Sequence, residues 1–216
     1  MLDTSQTDKF LYIITPSNFN RRVLIKKLIS ILQFDCVGAL QLRFKNSTEE
    51  EIISLAKEIY PICQDNKILC IINDRPDLAR DINLDGVHIG EEDTSLFKAR
   101  EIVGSGKVIG VSCYNSIDRA MTLAEQGADY VAFGSFYETK TKRIYKKANI
   151  NLLKNWSLTT NIPVVAIGGI KPENSKVLVK AGADFLAVCS SVWESSLNPE
   201  NVIRSFYEIK KNLYMS

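Results

Sequence analysis

Eight short apolar runs rich in β-branched residues recur along the chain: FLYIIT (10–15), ALQLRF (39–44), ILCIIN (68–73), GVHIG (86–90), VIGVS (108–112), YVAFGS (130–135), VVAIGG (164–169) and FLAVCSS (185–191). Within each run the apolar residues are continuous rather than alternating. That is the pattern of strands buried on both faces, which are parallel and covered by helices. The intervening segments carry helical periodicity, as in EEEIISLAKEIY, SLFKAREIV, IDRAMTLAEQG, NSKVLVKAGA and NVIRSFYEIKKNLY. Eight strand–helix alternations in 216 residues predict an α/β fold, a single-domain (β/α)8 TIM barrel spanning 1–216, rather than an open doubly wound sheet.

Local signals agree with this division. Gly127 and Gly182 each follow a helical stretch and precede a strand within the repeated tripeptide Gly-Ala-Asp, the position of a glycine C-cap. Thr48 and Glu51 have the spacing of a capping box opening the second helix. No linker or low-complexity stretch divides the chain.

Composition narrows the function classes. A hydrophobic content of 45% and a charged content of 24% fit a soluble globular chain. A net charge of +2 supplies no bulk attraction to nucleic acid or to a membrane surface. There is no apolar stretch of membrane-spanning length, and MLDTSQTDKF has no apolar core of a secretory signal. The five cysteines, Cys36, Cys63, Cys70, Cys113 and Cys189, form no CxxC pair and read as free core thiols. A cytoplasmic protein that engages neither nucleic acid nor membrane is expected.

A barrel of this kind carries its active site at the C-terminal ends of the strands. The residues falling there are Gln41 to Lys45, Asn73–Asp74–Arg75, Gly90 to Asp93, Ser112 to Asn115, the stretch GSFYETKTK (134–142), Gly168–Gly169, and Cys189–Ser190–Ser191. Gln41, Arg43 and Lys45 alternate and therefore share one face, either lining a cavity or forming a solvated strand end. Asp74 and Asp93 have two uses open to them: capping the helix that follows, or holding Mg2+ beside a phosphate. Gly168–Gly169 reads as a tight turn or as a place where a phosphate approaches backbone N–H groups. His88, the one histidine, lies inside a strand and reads as a packed imidazole rather than a base. With no nucleophile–base pair, acyl transfer has little support. Cations, hydroxyls, glycines and two carboxylates on one rim suit an enzyme that positions phosphorylated small molecules and stabilises a departing diphosphate.

From about Phe10 to Trp193, the motifs QLRFK (41–45), INDRPDLA (72–79), DGVHIGEED (85–93), GVSCYN (110–115), TKTK (139–142), VVAIGGI (164–170) and VCSS (188–191) stand in collinear order. In this the chain resembles the thiamine-phosphate synthase family, whose members join the pyrimidine and thiazole halves of thiamine. The resemblance implies that Gln41, Leu42, Arg43, Phe44, Lys45, Asn73, Ser112 and Lys142 hold the hydroxymethylpyrimidine diphosphate. It implies Mg2+ on Asp74 and Asp93, and the thiazole phosphate on Thr139, Lys140, Thr141, Gly169, Cys189 and Ser190. Arg43, Ser112 and Lys142 are the residues it places at the chemistry, a dissociative substitution in which diphosphate leaves and the thiazole nitrogen captures the pyrimidinyl-methyl cation.

Three departures accompany the resemblance. Phe44 replaces a usual acidic residue, Ser135 and Glu138 stand where proline is common, and Ile150–Asn151–Leu152 replaces a glycine–leucine pair. Arg143, Lys146 and Lys147 have no counterpart role and read either as exposed charges or as a source of positive potential over a lid. Two rivals share the fold. A thiazole tautomerase would use a histidine where this chain has Tyr114, and a phosphate-binding sensor would leave the aspartate pair and Lys142 unexplained.

Overall fold

The computed structural model describes residues 9–138 and 147–214. Eight strands close into a parallel barrel in chain order: β1 (Leu11–Ile14), β2 (Val37–Leu42), β3 (Leu69–Asn73), β4 (Gly86–Ile89), β5 (Val108–Tyr114), β6 (Tyr130–Gly134), β7 (Val164–Ile167) and β8 (Phe185–Val188). β1 pairs with both β2 and β8, which completes the closure. The helices are α1 (Arg21–Leu32), α2 (Glu49–Asp65), α3 (Pro76–Asp81), α4 (Leu96–Val103), α5 (Ile117–Glu125), α6 (Asn151–Thr159), α7 (Pro172–Lys180), α8 (Ser190–Trp193) and α9 (Pro199–Tyr214). The α/β barrel expected from the apolar runs is therefore the fold. α1, α3 and α6 fall in stretches to which periodicity gave no assignment. None of these described helices is long and apolar enough to cross a membrane.

Strand alternation divides the core in two. Residues such as Leu11, Ile13, Leu40, Leu42, Ile72, Val87, Ile109, Val131 and Leu186 point outward and pack with the helices. Tyr12, Ile14, Ala39, Ile71, Val108, Tyr130, Ala132, Val165, Phe185 and Ala187 point inward and fill the barrel. Both sets are apolar, so the runs are continuous. All five cysteines are free thiols; four are buried and Cys189 is partly exposed.

The end of the barrel where the strands begin is built for stability. At α5, the Gly127 N–H donates to Ala124 O (3.0 Å) and the Ala128 N–H to Leu123 O (3.0 Å), with Gly127 at φ 94°. α7 ends the same way: Gly182, at φ 98°, donates to Val179 O (3.0 Å), and Ala183 to Leu178 O (3.1 Å). Glycine reaches this left-handed region without a Cβ penalty. The aspartate that follows has a separate use. Asp129 accepts from the Ile109 N–H, and Asp184 from the Val164 N–H, each at 2.8 Å. Asp85 accepts likewise from the Cys70 N–H at 2.8 Å. Each carboxylate clamps the start of the neighbouring strand, and Arg100 adds a 2.6 Å ion pair to Asp129. The Gly-Ala-Asp repeat thus encodes a helix stop and a strand clamp in three residues. The Thr48–Glu51 capping box also forms.

Replacing Asp129 by alanine orphans the Ile109 N–H and removes the ion pair to Arg100, which should cost about 1–3 kcal/mol. Urea denaturation should show that loss while steady-state kinetics stay unchanged, because the clamp lies at the opposite end from the rim. Unchanged stability would contradict the clamp.

Candidate active site

The inward positions nearest the strand ends open into a cavity of about 160 Å³, lined by Gln41, Arg43, Asn73, Ser112, Gly169 and others. β2 and the extended residues just after it contribute Gln41 and Arg43 because inward positions alternate: Leu42 and Phe44 turn the other way. Leu42 is 1% exposed in the outer core, and Phe44 packs on Phe19 with ring centroids 5.1 Å apart. Neither side chain faces the cavity, although both are expected at the pyrimidine substrate. Phe44 fills space where an acidic residue would meet an apolar shell.

The Arg43 backbone N–H donates to Thr15 Oγ1 (2.8 Å), and its guanidinium reaches Ser17 Oγ (3.4 Å), fixing the arginine at the mouth. Lys45 is exposed just beyond, near enough to Asp74 for its charge to lower that carboxyl's pKa. Arg75 is not part of the cavity. It pairs with Asp77 and Glu49 and holds the start of α3.

Neither Asp74 nor Asp93 caps a helix. Arg75 occupies the N-cap of α3 and Ser95 that of α4. Asp93 Oδ2 accepts from the Gly90 N–H at 2.7 Å, which folds the β4 loop back. The Asp74 N–H donates to His88 O at 2.8 Å, with Asp74 at φ 64°. A left-handed φ at a non-glycine residue is strained, and such strain collects at working sites. Burial, then hydrogen bonding to Asp93 and repulsion from it, push the Asp74 carboxyl up to about 6; Lys45 and Asn73 pull it back. Two facing carboxylates whose charges oppose one another are a donor set suited to a divalent cation. Mg2+ uses few protein oxygens and completes its shell with water and substrate phosphate.

On the far side of the mouth, Gly168 and Gly169 have φ values of 102° and 63°. A Cβ on Gly168 would lie 2.0 Å from Ser135 Oγ, and one on Gly169 2.4 Å from Glu138 O. The β6 loop therefore docks onto the glycine pair, with Tyr137 N–H donating to Gly168 O at 3.0 Å. This turn and close approach account for both glycines, and the pair still lines the cavity. Cys189 and Ser190 also line it. Burial pushes the Cys189 thiol up to about 11, so it is neutral rather than nucleophilic. In the same turn, Ser191 Oγ is buried with no hydrogen-bond partner among the described residues. Thr139, Lys140, Thr141 and Lys142 lie outside the described residues.

Other cavity residues are not at the strand ends because they sit deeper. Tyr12, His88 and Tyr130 form its floor. Tyr130 crosses the barrel because β5 carries Gly110 beneath it, where a Cβ would lie 1.8 Å from the ring. His88 is the packed imidazole expected, yet it also faces the cavity. The signal for these residues was present: polar aromatics at inward positions of otherwise apolar strands. At the end of β5 a register shift between Ser112 and Tyr114 leaves Tyr114 at φ 52°, its side chain on the cavity.

Comparison with known proteins places this barrel. The family model described as Thiamine monophosphate synthase matches residues 11–192. The thiamine-phosphate synthase of Rhodospirillum centenum is 41% identical over 205 residues, covering 95% of this chain and 99% of that one. Its counterpart in Pelagibacter ubique is 41% identical over 187 residues, covering 87% and 90%. Among solved structures, thiamine phosphate pyrophosphorylase from Pyrococcus furiosus superposes with a TM-score of 0.83 at 28% identity, covering 97% of this chain and 98% of that chain. A 3-hexulose-6-phosphate synthase from Salmonella typhimurium, 16% identical with a TM-score of 0.71, shares the fold alone. With a family match across nearly the whole barrel and relatives at 41% identity, the chain belongs to the thiamine monophosphate synthase family.

Proposed function

We propose that the chain condenses hydroxymethylpyrimidine diphosphate with the thiazole phosphate, giving thiamine phosphate and diphosphate. The observation that carries this reading is one cavity mouth with Arg43 and Asn73 beside a facing aspartate pair, Asp74 and Asp93. That equipment matches a diphosphate leaving group better than it matches a tautomerisation, which releases no such charge.

The geometry supports a division of labour. The guanidinium of Arg43 binds phosphate oxygens through paired N–H donors, and Lys45 adds a point charge above them. Gln41 and Asn73 orient the pyrimidine diphosphate from the floor upward, and Ser112 donates its hydroxyl to the same group. Bound Mg2+ would supply positive charge to the diphosphate between Asp74 and Asp93. The C–O bond between the pyrimidinyl methylene and the diphosphate breaks with its electron pair leaving on diphosphate, and the thiazole nitrogen's lone pair forms the new bond to that methylene carbon. No proton moves at that nitrogen, so the step asks for no general base. Gly169, Cys189 and Ser190 bind the thiazole phosphate opposite, together with Thr139, Lys140 and Thr141. Lys142 is assigned to the departing diphosphate.

Purified protein given both substrates and Mg2+ should release diphosphate, and omission of either substrate or of the metal should abolish release. Asp74→Ala should lose the metal-dependent turnover while keeping a cooperative thermal transition. Normal turnover by that variant would remove Asp74 from the metal site. Release with the pyrimidine substrate alone would contradict the condensation.

The aspartate pair also predicts a pH signature. The native Asp74 pKa of about 6 lies above that of an unfolded aspartate, about 3.9. Its protonation therefore stabilises the fold fully below the unfolded value, and this contribution is lost as pH rises through about 6. Asp74→Asn, neutral at every pH, should melt close to the wild type at acid pH and above it at neutral pH, both without divalent cation. Mg2+ should then raise the wild-type Tm and leave the variant unmoved. A Tm difference that stays flat with pH, or a metal shift that survives the substitution, would contradict the pair.

A further inference from the structure

Five side chains join into one hydrogen-bonded chain across the cavity floor. Gln41 Nε2 donates to Tyr12 Oη (3.0 Å), Tyr12 Oη meets Tyr130 Oη (2.9 Å), Tyr130 Oη meets His88 Nδ1 (2.9 Å), and His88 Nε2 meets Ser112 Oγ (2.9 Å). These residues come from β2, β1, β6, β4 and β5, so the chain ties strands from opposite sides of the barrel. Tyr12 and Tyr130 are at most 1% exposed, and His88 is 9% exposed. Burial raises both phenols above the usual tyrosine range, so each stays a hydroxyl.

Donor direction follows from Gln41. An amide nitrogen only donates, so Tyr12 Oη is an acceptor there. Among the described residues, the hydroxyl proton of Tyr12 then has one acceptor, Tyr130 Oη. The reverse arrangement would bury a hydroxyl proton with no acceptor, which costs more than a hydrogen bond returns. Tyr130 accordingly donates to His88 Nδ1, and the neutral imidazole carries its proton on Nε2. That proton is donated to Ser112 Oγ. The serine oxygen thus accepts from histidine, and its own proton is turned toward the cavity that Ser112 lines. The Ser112 backbone is held as well, since Arg119 Nε donates to its carbonyl at 3.0 Å.

We propose that Tyr12, Tyr130 and His88 are positioning residues, a one-directional hydrogen-bond chain anchored at Gln41 that fixes the Ser112 hydroxyl as a donor into the substrate cavity. It rests on the functional reading above only for the acceptor, an oxygen of the pyrimidine diphosphate. The polarity is useful because a hydroxyl held in one orientation need not reorganise when charge appears on its acceptor. It also explains why polar aromatics occupy inward positions that apolar residues would fill at less risk.

His88 is the chain's one histidine, which makes the test specific. In untagged protein labelled with 15N-histidine and held near pH 8, where an ordinary imidazole is neutral, the ring shifts should report a single Nε2–H tautomer. Tyr130→Phe, which removes one hydroxyl beneath an unchanged ring, should give a mixture of tautomers. Gln41→Glu, whose carboxylate accepts rather than donates, should switch His88 to Nδ1–H. A wild-type Nδ1–H tautomer, or a Tyr130→Phe spectrum identical to wild type, would overturn the proposal. These readouts need no substrate, so they decide the chain even if the assay shows no condensation. Given condensation, Tyr130→Phe should lower kcat roughly tenfold, the worth of about one hydrogen bond. In a Ser112→Ala background the same change should cost less than about twofold, because the chain acts through Ser112. Additive losses would reduce Tyr130 to a packing role.

Discussion

Everything in the site depends on the two-residue alternation of side chains along closed, parallel strands. Once β1 pairs with β8, every second residue must point into a common interior, and the last inward residue of each strand must reach the same mouth. Gln41 and Arg43 enter the cavity, and Leu42 and Phe44 leave it, for this reason alone. A register slip of one residue in β2 would bury the guanidinium against the helices and present leucine to the substrate. Site geometry and core packing are therefore one constraint, enforced by the outer layer of apolar residues.

The two ends of the barrel divide stability from chemistry. Where the strands begin, Asp85, Asp129 and Asp184 accept backbone N–H groups and lock adjacent strands together. Where they end, the carboxylates of Asp74 and Asp93 face each other, and Asp74 is held at a left-handed φ of 64°. The same side chain thus serves opposite purposes according to its neighbours. A buried carboxylate beside free N–H groups is satisfied. One beside another carboxylate is costly until a proton or a cation comes between them.

Much of this was legible in the sequence. Continuous apolar runs gave the strands, because both barrel faces are apolar; glycine before Ala-Asp gave the helix ends; and the C-terminal ends of the runs gave the rim. What escaped did so for physical reasons. α3 has six residues, too few for a periodic pattern to show, and α6 carries Ile150 at its N-cap, a residue that signals no helix start. Leu42 and Phe44 belong to a contiguous motif, but a strand sends neighbours to opposite faces, so contiguity overstated the contact surface. Gly168–Gly169 suggested a phosphate turn, and the close approach of Ser135 and Glu138 supplies a second reason for glycine that only three dimensions reveal. Tyr12, His88 and Tyr130 lie too deep in their strands to read as rim residues, and their link to Ser112 depends on distances across the barrel.

The most direct test is a crystal structure with Mg2+ and a non-reactive diphosphonate analogue of the pyrimidine substrate. The metal should lie between the Asp74 and Asp93 carboxylates, bridged to the diphosphonate, with Arg43 on the same group. A metal held elsewhere, or a diphosphonate bound away from Arg43 and the aspartate pair, would contradict the assignment of this rim to diphosphate departure.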